Sequence, residues 1–67
     1  MIRYIATIPY TIKGVSRMFD IHYNTDSEQI LIKENGETIA DILSPPFSDK
    51  DIISVANNYF WGWDHAG

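Results

Sequence analysis

Cysteine is absent from this chain of 67 residues, so neither a disulfide framework nor a thiolate metal site is available, and stability has to come from packing or association. Long apolar runs are missing too. No stretch approaches the ~20 residues that span a bilayer, and the N-terminus lacks the continuous apolar segment of a signal peptide. The expectation is a soluble, cytoplasmic protein, complete from Met1. Bases are scarce: five Lys and Arg stand against nine Asp and Glu, a net charge of −4. A surface of that sign repels phosphate backbones. With no glycine-rich phosphate loop, serine elbow or Cys/His combination, catalysis is the least supported class, and no enzyme activity, cofactor or metal is expected.

What the chain does contain is patterned. From Ile2 the even positions Ile2, Tyr4, Ala6, Ile8, Tyr10 and Ile12 alternate with Arg3, Ile5, Thr7, Pro9, Thr11 and Lys13, the period of a half-buried strand. Pro9 cannot donate to a ladder, which places that strand at an edge, bulges it, or ends it. Gly14 begins a turn. Phe19, Ile21 and Tyr23 then alternate with Met18, Asp20 and His22, and Asn24-Thr25-Asp26-Ser27 closes the second strand. Asn35-Gly36 separates two further runs as a hairpin signal, because both residues tolerate positive φ. Its register is open. A two-residue turn sets Glu34 opposite Glu37, whereas a longer loop pairs Lys33 with Glu37 and has the better electrostatics.

The last third reads as a helix. Pro45 and Pro46 deny it an earlier start, and Ser48 is placed as N-cap with Asp51 as the acidic partner of a capping box. Phe47 and Ile52 stand at hydrophobic-staple spacing. At about 100° per residue, Ile52, Ala56, Tyr59 and Trp63 share one face, flanked by Val55 on one side and by Ile53 and Phe60 on the other. The fold predicted is α+β: a single domain over 1–67, with strands at about 2–12, 17–24, 29–34 and 37–43 and a helix at about 48–61. This β-β-β-β-α order makes a small antiparallel four-stranded sheet with one C-terminal helix packed on one face. The helix should cover Tyr4, Phe19, Ile21 and Ile30 or Ile32.

Candidate chemistry is thin. Asp20 and His22 share a strand face and could form an acid–base pair or two metal ligands, but two ligands do not close a zinc site. A solvent-facing polar pair is the simpler reading. Tyr4, Tyr10, Phe19 and Tyr23 could stack unpaired bases; as core aromatics they serve a small domain better, and direct nucleic-acid binding ranks behind protein binding.

Two surfaces remain once the core is built. Trp61 falls on the wheel opposite the apolar stripe, among Lys50, Ser54, Asn57 and Asn58, where a tryptophan ringed by polar groups makes an interface anchor. With Asn57, Asn58, Asp64 and Asp51 it forms the first candidate protein interface. The competing reading has Gly62 ending the helix, so that the tail folds back over Trp61. The second candidate is the far face of the sheet, where Ile5, Met18, Leu31, Ala40 and Ile42 would form a patch too apolar to leave wet. Charge divides unevenly, net +1 over residues 1–33 and −5 over 34–67. The acids either keep a small protein soluble or attract a basic partner.

These features suggest a small acidic protein-binding module, an inhibitor or regulator docking on a larger protein. If that target handles nucleic acid, the acidic half could compete with phosphate. Compact acidic proteins that phages and other mobile elements use against host-defence nucleases have this general character, an analogy of type that rests on no motif. A self-associating structural or accessory protein, homodimeric through the far face, is the alternative.

Overall fold

The computed structural model describes residues 1–45 and 48–66; the staple proposed for Phe47, and Pro46 before it, lie outside them. Four strands, β1 (Ile2–Ile12), β2 (Val15–Asn24), β3 (Gln29–Glu34) and β4 (Glu37–Leu43), precede one helix, α1 (Asp49–His65). The sheet is antiparallel throughout, in the order β1-β2-β3-β4. α1 lies on one face, against β1 and β3. This is the α+β architecture that the periodicities imply.

Turn chemistry sets the register. Lys13 and Gly14 both have positive φ, 50° and 80°, as do Asn35 and Gly36 at 53° and 80°, the geometry of two-residue hairpins. Ile12 therefore pairs with Val15, and Glu34 with Glu37. The turn imposes the electrostatically worse register, and Glu34 opposite Glu37 is offset by a counterion of its own: Arg17 donates to Glu34 through Nε at 2.8 Å and Nη2 at 2.6 Å. The β2–β3 loop is held by Asn24, whose Oδ1 accepts from the backbone N–H of Asp26 at 3.0 Å.

Pro9 sits within β1, which is an edge strand, so its missing donor costs no ladder bond with a neighbour outside the sheet. The even-position face of β1 does not stay intact. Tyr4 pairs with His22 and Ala6 with Ile21, leaving Ile5 as an extra residue in a bulge. A bulge reverses the alternation. Ala6, Ile8, Tyr10 and Ile12 keep to the helix side, whereas Tyr4 is turned to the far face and is 56% exposed. Ile5 packs against the core instead.

That core comprises Ile12, Phe19, Ile21, Tyr23, Ile30, Ile32 and Ile42 from the sheet, with Ile52, Ala56 and Phe60 from α1. Tyr23 keeps its hydroxyl satisfied by donating to the Ser44 carbonyl at 2.7 Å. Burial first, and then the charge of Glu28, raise its pKa. The helix is rotated from the expected orientation. Phe60 is fully buried and Tyr59 is 43% exposed, so the stripe runs Ile52, Ala56, Phe60 with half-buried Val55 and Trp63 beside it. Both choices satisfy helical spacing; the aromatic partners Tyr10 and Phe19 on the sheet select Phe60.

Candidate protein-docking surfaces

α1 is tied at both ends, and this fixes where Trp61 stands. At the start, Ser48 Oγ accepts from the Asp51 N–H at 3.3 Å, the N-cap half of a capping box, and donates to the Asp51 carboxylate at 3.0 Å, so that the acid bonds the cap's hydroxyl. Arg3 reaches from β1 to Asp49 with two bonds, 2.7 and 3.2 Å. The hydrogen bonds to Asp49, and then its charge, raise the Arg3 pKa; the bonds from Arg3, helped by its charge and opposed by burial, lower that of Asp49. At the other end, Asp64 Oδ1 accepts from the backbone N–H of Lys13 at 2.6 Å, and the Lys13 ammonium bonds the Ala66 carbonyl. A cation there also suits the negative end of the helix dipole.

Gly62 does not end the helix, which continues to His65, so Trp61 is not folded under a returning tail. It is 58% exposed. Its indole stacks on the His65 ring, centroids 4.1 Å apart and planes 20° from parallel. His65 Nδ1 lies 2.8 Å from the Trp61 carbonyl. Because a carbonyl only accepts, Nδ1 must carry the proton. One face of the indole is thus supported and the other is presented to solvent. The i, i+4 spacing of Trp61 and His65 was readable as a helix-neighbour signal, and His65 belongs with Trp61 more closely than the acids first grouped with it.

Those acids have other roles. Asp64 holds the β1–β2 turn, and Asp51 caps the helix ten residues away, roughly 15 Å along its axis. Asn57 is half-buried and Asn58 exposed, one turn before Trp61. The immediate surroundings of the indole are polar, and Asp64 is the one acid of α1 near them, its Oδ2 3.9 Å from His65 Nδ1.

The far face of the sheet is composed differently from the expected patch. Met18, 60% exposed, and half-buried Leu31 do lie on it. Ile5, Ala40 and Ile42 do not: Ile42 is a core residue, and Ile5 and Ala40 pack against the core. The bulge at Ile5 explains the first. For β4, Ile42 pairs with Ile30 and Ala40 with Ile32, so both inherit the helix side. Ile2, Tyr4 and Leu43 occupy the far face in their place.

Asp20 and His22 share that face, as their spacing implies, without forming a pair. Asp20 accepts from the Thr7 hydroxyl at 2.7 Å, and Thr7 in turn accepts from the Tyr4 hydroxyl at 2.7 Å. His22 packs edge-on to Tyr4 at 5.5 Å, with its Nδ1 buried and unpartnered. No acid–base constellation results. Among the described residues no group of three or more His, Cys, Asp or Glu could hold a metal ion, and no helix is long and apolar enough to cross a membrane. Of the four strand aromatics considered for base stacking, Phe19 and Tyr23 are buried and Tyr10 is half-buried against Phe60. Tyr4 alone of them is exposed. Against family models, curated proteins and solved structures, the chain finds no match.

Proposed function

We propose that this chain is a small acidic protein-binding module, an inhibitor or regulator that docks on a larger cytoplasmic protein through Trp61. The carrying observation is the indole itself: 58% exposed, braced from behind by His65, on a helix clamped at both ends. Folding gives no reason for a tryptophan there. A pre-organised aromatic costs little side-chain entropy on docking and contributes as a hot spot, on the order of 2 kcal/mol or more. The net charge of −4 favours a partner with a basic surface and speeds their encounter. A groove that handles nucleic acid, as in a host-defence nuclease, has that charge, and the chain would compete there with phosphate.

The test is comparative capture by wild type and Trp61→Ala from the native host, followed by binding to the purified partner. Trp61→Ala should keep the wild-type melting temperature and lose the partner. Added salt should slow association more than it speeds dissociation. Equal binding by both proteins, or a large loss of stability in Trp61→Ala, would remove Trp61 from this role.

A further inference from the structure

The strand register arranges the far face in rows. One row runs Ile2, Asn24, Gln29, Leu43 across the four strands; the next runs Tyr4, His22, Leu31, Asp41; the third runs Thr7, Asp20, Lys33, Thr38. Asp20 and Asp41 against Lys33 leave this face with one of the four net negative charges of the chain. It also carries four large apolar side chains that are more than half exposed: Ile2, Tyr4, Met18 and Leu43.

From this pattern we infer that the far face is a self-docking surface, on which two copies pack sheet to sheet about a two-fold axis parallel to the strands, between β2 and β3. The inference is independent of the role given to Trp61. A two-fold contact uses the same patch on both copies. Rotation about that axis keeps each row in place and reverses the strand order, so β1 lies over the partner copy's β4 and β2 over its β3. Asp20 then meets Lys33, twice by symmetry. Ile2 meets Leu43, both otherwise wet. His22 meets Leu31, and Thr7 meets Thr38. Tyr4 falls opposite Asp41, whose carboxylate is a stronger acceptor for the phenol than the Thr7 hydroxyl it now serves.

The other in-plane axis, perpendicular to the strands, is disfavoured by the same residues. It keeps each strand over its own copy and reverses the rows, so that Asp41 opposes Asp41 and His22 opposes His22. Aligned sheets pack about 10 Å apart at roughly 30°, close enough for Asp20 and Lys33 to meet. The molecule measures 35 × 20 × 18 Å, so the face offers on the order of 500 Å² per copy, near the lower bound of a specific interface. A reversible dimer follows, with the two Trp61 side chains on its opposite outer faces.

Sedimentation from micromolar to millimolar concentration tests this. Wild type should dimerise. Asp20→Lys and Lys33→Asp should each weaken self-association about tenfold or more, as like charges across an interface do. An equimolar mixture of the two should recover it as a heterodimer, because each copy then supplies the charge the other lacks. The double variant, which preserves both the row and the cross-copy pair, should dimerise like wild type. Leu43→Glu, at a side chain 79% exposed and so without consequence for folding, should weaken the dimer. A wild type that stays monomeric at millimolar concentration overturns the inference. So does a mixture that associates no better than its components, which is the result the perpendicular axis would give, or unimpaired dimerisation of Leu43→Glu.

Discussion

Phe60 stacks on Phe19 with ring centroids 4.4 Å apart and planes 18° from parallel. Tyr10 and Trp63 close around Phe60 at 5.4 and 5.6 Å, and the Arg17 guanidinium lies 5.0 Å from the Phe19 ring centre. This aromatic contact holds the C-terminal half of α1 to the sheet.

Phe60→Ala should cost about 3–5 kcal/mol, comparable to the whole net stability of a domain this small. The variant should be largely unfolded at 25 °C by circular dichroism. Tyr59→Ala, one position away on the exposed side, should cost under about 1 kcal/mol, since surface truncations seldom do more. A melt in which Tyr59→Ala is the worse of the two would mean that α1 is rotated from the orientation described.

Much of the architecture was legible because period-two and period-3.6 patterns occupy separate segments and both tight turns end in glycine. What escaped were the features that local patterns do not encode. Nothing in Ile2–Ile12 marks Ile5 as the extra residue of a bulge, and that one residue decides which side Tyr4 faces. The wheel admits either Tyr59 or Phe60, and only sheet residues distant in sequence choose between them. Glu34 opposite Glu37 looked unfavourable until Arg17, seventeen residues earlier, supplied the counterion. At the candidate site the exposure of Trp61 followed from the wheel, but the engagement of Asp64 with Lys13 depends on where the β1–β2 turn lies in space.

The Arg17–Glu34 pair should leave a signature in acid. Hydrogen bonds from Arg17, then its charge, hold the Glu34 carboxyl below its ordinary value, with burial acting the other way. The folded state therefore binds this proton more weakly than the unfolded chain does. The contribution is complete above the ordinary carboxylate range and is lost as pH falls below about 4 towards the folded value. Asp49, lowered by Arg3, acts in the same direction. Urea midpoints taken from neutral pH down to about pH 3 should fall for wild type and fall less steeply for Glu34→Gln. Parallel profiles would deny the pair a role in stability.

Asp64 is expected to act as a strut more than as an interface residue. Its carboxylate bonds the backbone N–H of Lys13, a residue at φ 50°, and so joins the end of α1 to the β1–β2 turn. Asp64→Ala should lower amide protection from Phe60 to His65 and in the Lys13–Gly14 turn, while leaving the β3–β4 hairpin protected, because opening is local where the tether is local. Hydrogen exchange followed residue by residue would show it. Uniform loss across both hairpins would indicate a global effect instead.

Gly62 and Gly36 make a paired test of what glycine does in this chain. A Cβ added at either would meet nothing within 4 Å, so steric space does not separate them. Backbone conformation does. Gly62 lies inside α1, where glycine costs about 1 kcal/mol relative to alanine, whereas Gly36 sits at φ 80° in the β3–β4 turn, a region that disfavours any side chain. Gly62→Ala should therefore stabilise the protein by about 0.5–1 kcal/mol, and Gly36→Ala should destabilise it by a similar amount or more. Chemical denaturation of the two variants checks the sign of each. A destabilising Gly62→Ala would require a contact at the open helix face that the monomer does not contain.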